Sequence, residues 1–158
     1  MNKYLLASFL MLNLAMSCEQ PYEEVLGYKL GCPIENVDSM KLIDSKEFDG
    51  RAQVYAYKAS NGFFNNSEIG VLDGNVSLVH ISGQGRDAKT IFKNLLVQNT
   101  DKWGEPKLLS KEDGFEMWEF TPNNSILGTI QLMFEGNSNI SSVYMTKEFS
   151  QLYKEKYE

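Results

Sequence analysis

An α+β fold, with a curved antiparallel sheet and helices packed on one face, is what this chain of 158 residues predicts. Three observations predict it. Short runs of period-two alternation recur along the chain, punctuated by Gly, Asn and Asp. Only two stretches have helical spacing, too few to cover both faces of a parallel sheet. Strands follow strands directly, which calls for antiparallel hairpins. The order strands, helix, strands, helix suggests two β-β-β-α halves, since Arg51 to Asp87 spans 36 positions and Lys107 to Lys147 spans 40. The other face of such a sheet is expected to stand partly open to a partner.

Taken in order, Glu19–Glu23 is a short polar leader, and Glu24–Leu30 reads as a strand with Gly27 inside it and Gly31 at its end. Pro33 begins a helical turn through Val37. Lys41–Ser45 is a weak strand. Arg51–Ala59 is a stronger one, with Ala52, Val54 and Ala56 on one face and Gln53, Tyr55 and Tyr57 on the other. Asn61–Ser67 reads as a polar loop interrupted by Phe63-Phe64. Glu68–Asp73 and Val76–Ser82 form a hairpin, with Asp73-Gly74 as its turn signal. Asp87–Trp103 is the main helix. Its stripe is Ala88, Ile91, Phe92, Leu95 and Leu96, with Gly104 to cap it and Pro106 to prevent continuation. Lys107–Ser110, Phe115–Thr121, Ile126–Phe134 and Ile140–Thr146 make the second strand series, the last two joined at Gly136-Asn137. Glu148–Tyr157 closes the chain as an amphipathic helix whose Lys-rich end suits a helix C-terminus.

Domain organisation is set at the front. Met1–Lys3 carries one positive charge, Tyr4–Leu14 is almost continuously apolar, and Ala15-Met16-Ser17 places small residues before Cys18. That is the layout of a secretory signal peptide. The apolar run is shorter than the roughly 20 residues of a membrane span. Residues 1–17 are therefore read as an export signal and 18–158 as one domain. Removing 1–17 takes away one Lys and no acid, so 14 basic and 21 acidic residues remain, a net charge of −7 over 141 residues.

Leu14-Ala15-Met16-Ser17-Cys18 also resembles the lipobox of bacterial lipoproteins, in which the Cys becomes the first mature residue and carries a lipid. Here Leu lies at −4 and Ser at −1, where the usual pattern has Leu at −3 and Gly or Ala at −1. The resemblance implies a Cys18 anchor in the outer membrane facing the periplasm, because Glu19 rather than Asp follows the Cys. Cys18 can instead bond Cys32, the other cysteine of the chain, closing a loop of about 13 residues worth about 3 kcal/mol. The two fates exclude each other, since lipidation consumes the Cys18 sulfur.

The acidic balance, 21 acids against 15 bases, argues against nucleic acid as a partner. One His and two Cys cannot build an ordinary thiolate–imidazole zinc site. Gly83-Gln84-Gly85-Arg86-Asp87, between a strand and a helix, can cradle an anion or simply turn the chain, with Asp87 as N-cap. It is neither a P-loop nor a full dinucleotide fingerprint. His80 shares a strand face with Val76 and Leu78, and no acid or nucleophile stands near it in sequence to make it a general base. No catalytic, cofactor-binding or metal-binding set is assigned, and the chain is expected not to be an enzyme.

Aromatic residues are more informative. Phe63 and Phe64 sit in an Asn-rich loop, Tyr55 and Tyr57 share a strand face, and Trp118 lies on a possible second face beside Met117. Ringed by acids, Tyr55, Tyr57, Phe63, Phe64 and Trp118 are the expected partner-binding anchors. The expected function is an exported, periplasmic envelope protein that binds another protein, a basic enzyme or toxin for preference, as an inhibitor or immunity protein. Its general features resemble those of bacterial envelope proteins that neutralise such partners. The alternatives are an assembly accessory lipoprotein and, less favoured, an exported carboxylate-dependent hydrolase.

Overall fold

Two four-stranded meanders meet edge to edge in one sheet. A computed structural model describes residue 18 and residues 21–35, 40–44, 47–57 and 62–157. After a small hairpin of β1 (Glu23–Val25) and β2 (Tyr28–Leu30) come β3 (Lys41–Asp44), β4 (Ala52–Tyr57), β5 (Phe64–Leu72) and β6 (Asn75–Gln84), then helix α1 (Ala88–Trp103). The second series is β7 (Lys107–Glu112), β8 (Phe115–Phe120), β9 (Leu127–Glu135) and β10 (Asn139–Thr146), then helix α2 (Lys147–Tyr157). The eight-stranded order is β3-β4-β5-β6-β10-β9-β8-β7, antiparallel throughout.

The class is α+β with an open antiparallel sheet, as the sequence predicts. Each half holds four strands before its helix rather than three, because the short runs Lys41–Asp44 and Lys107–Glu112 both join the sheet as edge strands. The expected loop 61–67 is shorter, since β5 already begins at Phe64. The strand expected over 24–30 is a hairpin, folded at Leu26-Gly27, both with positive φ. The helical turn expected at 33–37 lies partly outside the described residues; Pro33 itself bridges to Asn75.

Strand alternation decides where the core sits. On one face, called inner here, Tyr55, Ile69, Val79, Ile81, Phe120, Ile130, Leu132, Phe134 and Ile140 form one apolar cluster with Leu30 of the hairpin and Ala88 and Phe92 of α1. The Phe92 and Phe134 rings stand 5.4 Å apart. The helix buries the predicted stripe, Ile91, Leu95 and Leu96 packing half-buried against this core. It ends at Gly104, whose φ of 89° and N–H bond to the Thr100 carbonyl close the last turn.

The outer face has a smaller core, in which Ala52, Leu72 and Met145 meet Phe149 of α2. Thr129 and Ser150 share a buried hydrogen bond of 2.6 Å there. Register refines the expected one-sided helix layer accordingly: α1 lies on the inner face and α2 on the outer. The cause is that β10 carries apolar residues on both sides, Ile140 and Tyr144 inward, Val143 and Met145 outward. Only the end of the outer face near the start of β9 and the end of β10 is covered by α2. The opposite end is left open among the described residues.

Candidate functional site: a groove on a bulged hairpin

The β5–β6 hairpin turns at Asp73-Gly74, with φ of 49° and 87°, the two left-handed residues of a type I′ turn. Leu72 faces Asn75 and Val71 faces Val76. A register shift then intervenes, and Gly70 faces Leu78. Ser77 is the extra residue of this bulge. A second shift between Phe64 and Asn66 leaves Asn65 as another. Bulges re-aim side chains, because one inserted residue moves everything beyond it to the other face of the sheet.

The Ser77 bulge creates a polar pair on the outer face. Beyond it Glu68 faces His80 directly across the hairpin, and His80 Nδ1 lies 3.0 Å from Glu68 Oε2. With Glu68 ionised, Nδ1 carries the proton of this contact. Nε2 is then an acceptor in the neutral ring and a second donor in the imidazolium. That Nε2 is covered by protein atoms and has no hydrogen-bond partner, a costly state for a polar atom. The bulge also corrects the strand reading at this point. Val76 joins the inner core, while Leu78 and His80 lie on the outer face, so the three do not share a face.

His80 lies in an open groove of about 380 Å³. β5 contributes Asn65 and Asn66, β6 contributes His80, Ser82, Gly83 and Gln84, and β10 contributes Asn139, Ile140 and Ser141. Phe115 of β8 and Met133 and Glu135 of β9 complete the wall. Among the described residues no Lys or Arg lines it. It therefore offers amides, hydroxyls, a carboxylate and three apolar side chains, with a second carboxylate, Glu68, beside it. Ser82 faces Ser141 and His80 faces Val143 across the sheet, but neither serine is hydrogen-bonded to His80.

Gly83 and Gly85 have a packing explanation. A Cβ at Gly83 would come within 2.3 Å of the Phe63 carbonyl oxygen and 2.6 Å of its ring, and one at Gly85 within 3.1 Å of that ring. The two glycines make room for Phe63 beneath the groove. Gly83 and Gln84 belong to β6 rather than to a loop. Asp87 occupies the N-cap position without a side-chain capping bond.

The five aromatic residues do not form one exposed patch. Phe63 and Phe64 meet edge to face at 5.4 Å and pack half-buried against the main core. Tyr55 is buried and donates to Gln53 Oε1 at 2.9 Å. Trp118 is half-buried on the inner face, and its Nε1 donates to Glu116 at 2.7 Å. Its neighbour Met117 is the residue that points outward, facing Met133 across β8 and β9. Only Tyr57 is exposed, with Tyr28 edge-on to it at 6.2 Å. Burial pushes the Tyr28 hydroxyl above its usual pKa, partly offset by a hydrogen bond with Ser67.

Cys18 and Cys32 are joined in a disulfide, with Cα atoms 5.5 Å apart and Cys32 buried beside the hairpin. Among the described residues no group of three His, Cys, Asp or Glu is placed to hold a metal ion, and no helix is long and apolar enough to cross a membrane. Comparison with protein-family models, curated proteins and solved structures returns no match to this chain.

Proposed function

We propose that the chain is an exported envelope protein that binds another protein, and that the open groove beside His80 and Glu68 is where the partner docks. Residues 1–17 act as its export signal, and its partner is a basic protein, such as a toxin or hydrolase, which it restrains. The observation that carries this reading is the half-covered outer face. Its open end combines Glu135 and Glu68 with amide side chains, Phe115 and Met133, and no basic residue among those described lines the groove to repel a cationic partner. An acidic contact surface on an acidic chain steers a basic protein toward it and speeds encounter.

Export also suits the Cys18–Cys32 bond, because disulfides persist in oxidising compartments such as the periplasm. The bond supports a free periplasmic form over a lipid-anchored one, since a lipid thioether would need the same sulfur.

The experiment is affinity capture from envelope extract with the wild type, with Glu68→Lys and Glu135→Lys, and with Val97→Lys as control. Val97 is 60% exposed on α1, on the other side of the sheet. The reading expects a basic protein held by the wild type and the control, released by raised salt and lost from both groove variants. A partner retained equally by all four contradicts it.

A further inference from the structure

The eight-stranded order ends at β7, whose second edge pairs with no strand among the described residues. Such an edge presents a row of amides and carbonyls that another strand can take up. β7 adds an apolar feature. Leu108 and Leu109 are 41% and 39% exposed, and the register shift between Leu108 and Ser110 sets both where a regular strand would carry one residue.

The charges of β7 select its occupant. The segment reads Lys107-Leu108-Leu109-Ser110-Lys111-Glu112, basic at its start and acidic at its end. Antiparallel pairing with the same segment of a second copy, about a twofold axis between Leu109 and Ser110, sets Lys107 opposite Glu112 twice. Opposite charges facing one another across strands stabilise pairing, and like charges oppose it. Lysines on an edge discourage strands in general. Here Lys111 is already matched within its own chain, 3.8 Å from Glu116, and Lys107 meets an acid in this one register. A twofold contact of this kind also closes on itself instead of propagating.

We propose that β7 is a self-association edge whose partner is β7 of a second copy of this chain, paired antiparallel with Lys107 opposite Glu112. The edge lies at the end of the sheet and shares no residue with the groove, so the pairing is independent of what the groove binds.

Sedimentation velocity on the chain in the form an expressing cell delivers it tests this. The wild type is expected to form a reversible dimer that weakens with salt. Glu112→Lys turns two attractive pairs into two repulsive ones and raises the dimer dissociation constant about tenfold or more. Lys107→Glu does the same. The double variant Lys107→Glu/Glu112→Lys restores the wild-type constant to within about threefold, because it exchanges the two charges without losing the match. All four proteins are checked for unchanged circular dichroism; the substituted side chains are exposed. A wild type that stays monomeric up to its solubility limit overturns the proposal. So does a dimer indifferent to Glu112→Lys, or single variants that weaken the dimer without rescue by the double one.

Discussion

Gly83 shows how a missing side chain shapes the site, because Phe63 occupies the space a Cβ would need. Gly83→Ala should therefore cost about 1–3 kcal/mol through overpacking, read as a lower urea midpoint with an unchanged slope. Two ionisable groups make the pH limits testable. Arg51 donates to Asp73 and to Glu148, the latter at 3.1 Å, tying the start of β4 to the β5–β6 turn and to α2. The hydrogen bond from Arg51 holds the Asp73 carboxyl below its usual pKa. Its contribution is present above the unfolded-state value, about pH 4, and fades as the pH falls through the lower folded value. The Arg51→Met variant should thus lose its deficit relative to wild type in acid. Burial raises the Tyr144 hydroxyl, partly offset by its hydrogen bond with Ser142. That stability is present below about pH 10 and fades as the pH rises through the folded value, so Tyr144→Phe should unfold at higher pH than the wild type in an alkaline titration. Some of this scale was legible in sequence. Asp73-Gly74 and Gly104 declared their backbone roles through residue type alone. The Glu68–His80 pair did not, because without the Ser77 bulge the turn at 73–74 would set His80 opposite Ser67 and Glu68 opposite Val79.

At the scale of elements, α2 is held to the sheet by few apolar side chains, and Phe149 is the principal one. It packs on Ala52, Leu72 and Met145 and stands 5.2 Å from the Phe48 ring. Phe149→Ala should cost about 3–4 kcal/mol in denaturant unfolding. It should leave the environment of the His80 imidazole unchanged by NMR, since the groove is built by other strands. Element types were legible where the period was clean: both helices and most strands stand close to their predicted bounds. The layering was less so. Two-sided apolar patterning in β8 and β10 says that both faces are used, but not which helix takes which face. That is decided by where each chain segment leaves its strand and what it can bury. The exposure of the aromatic residues was not legible for a similar reason: Phe63 and Phe64 look exposed inside Asn-rich sequence, yet the glycines opposite let them pack inward.

At the scale of the whole molecule, the described residues form a small hairpin and two meanders joined at β6 and β10, with one helix on each face and one region of sheet uncovered. The Cys18–Cys32 bond ties Cys18 to residues beside β6, to which Gly31 and Cys32 are hydrogen-bonded through Val76. Iodoacetamide should label neither cysteine in the folded, unreduced protein and both after reduction. A diacylglycerol mass on Cys18 would contradict the bonded form. The acidic total was visible from composition, whereas its placement beside an open groove depends on register and was not. The central claim is that a partner docks in that groove. Site-specific photo-crosslinking in the expressing cell tests it most directly, with the photoreactive residue placed at Asn66 or at Asn139 in the groove and at Val97 on α1. The account predicts one discrete adduct with a basic protein from both groove positions and none from Val97. No adduct from the groove positions, or the same adduct from Val97, would contradict it.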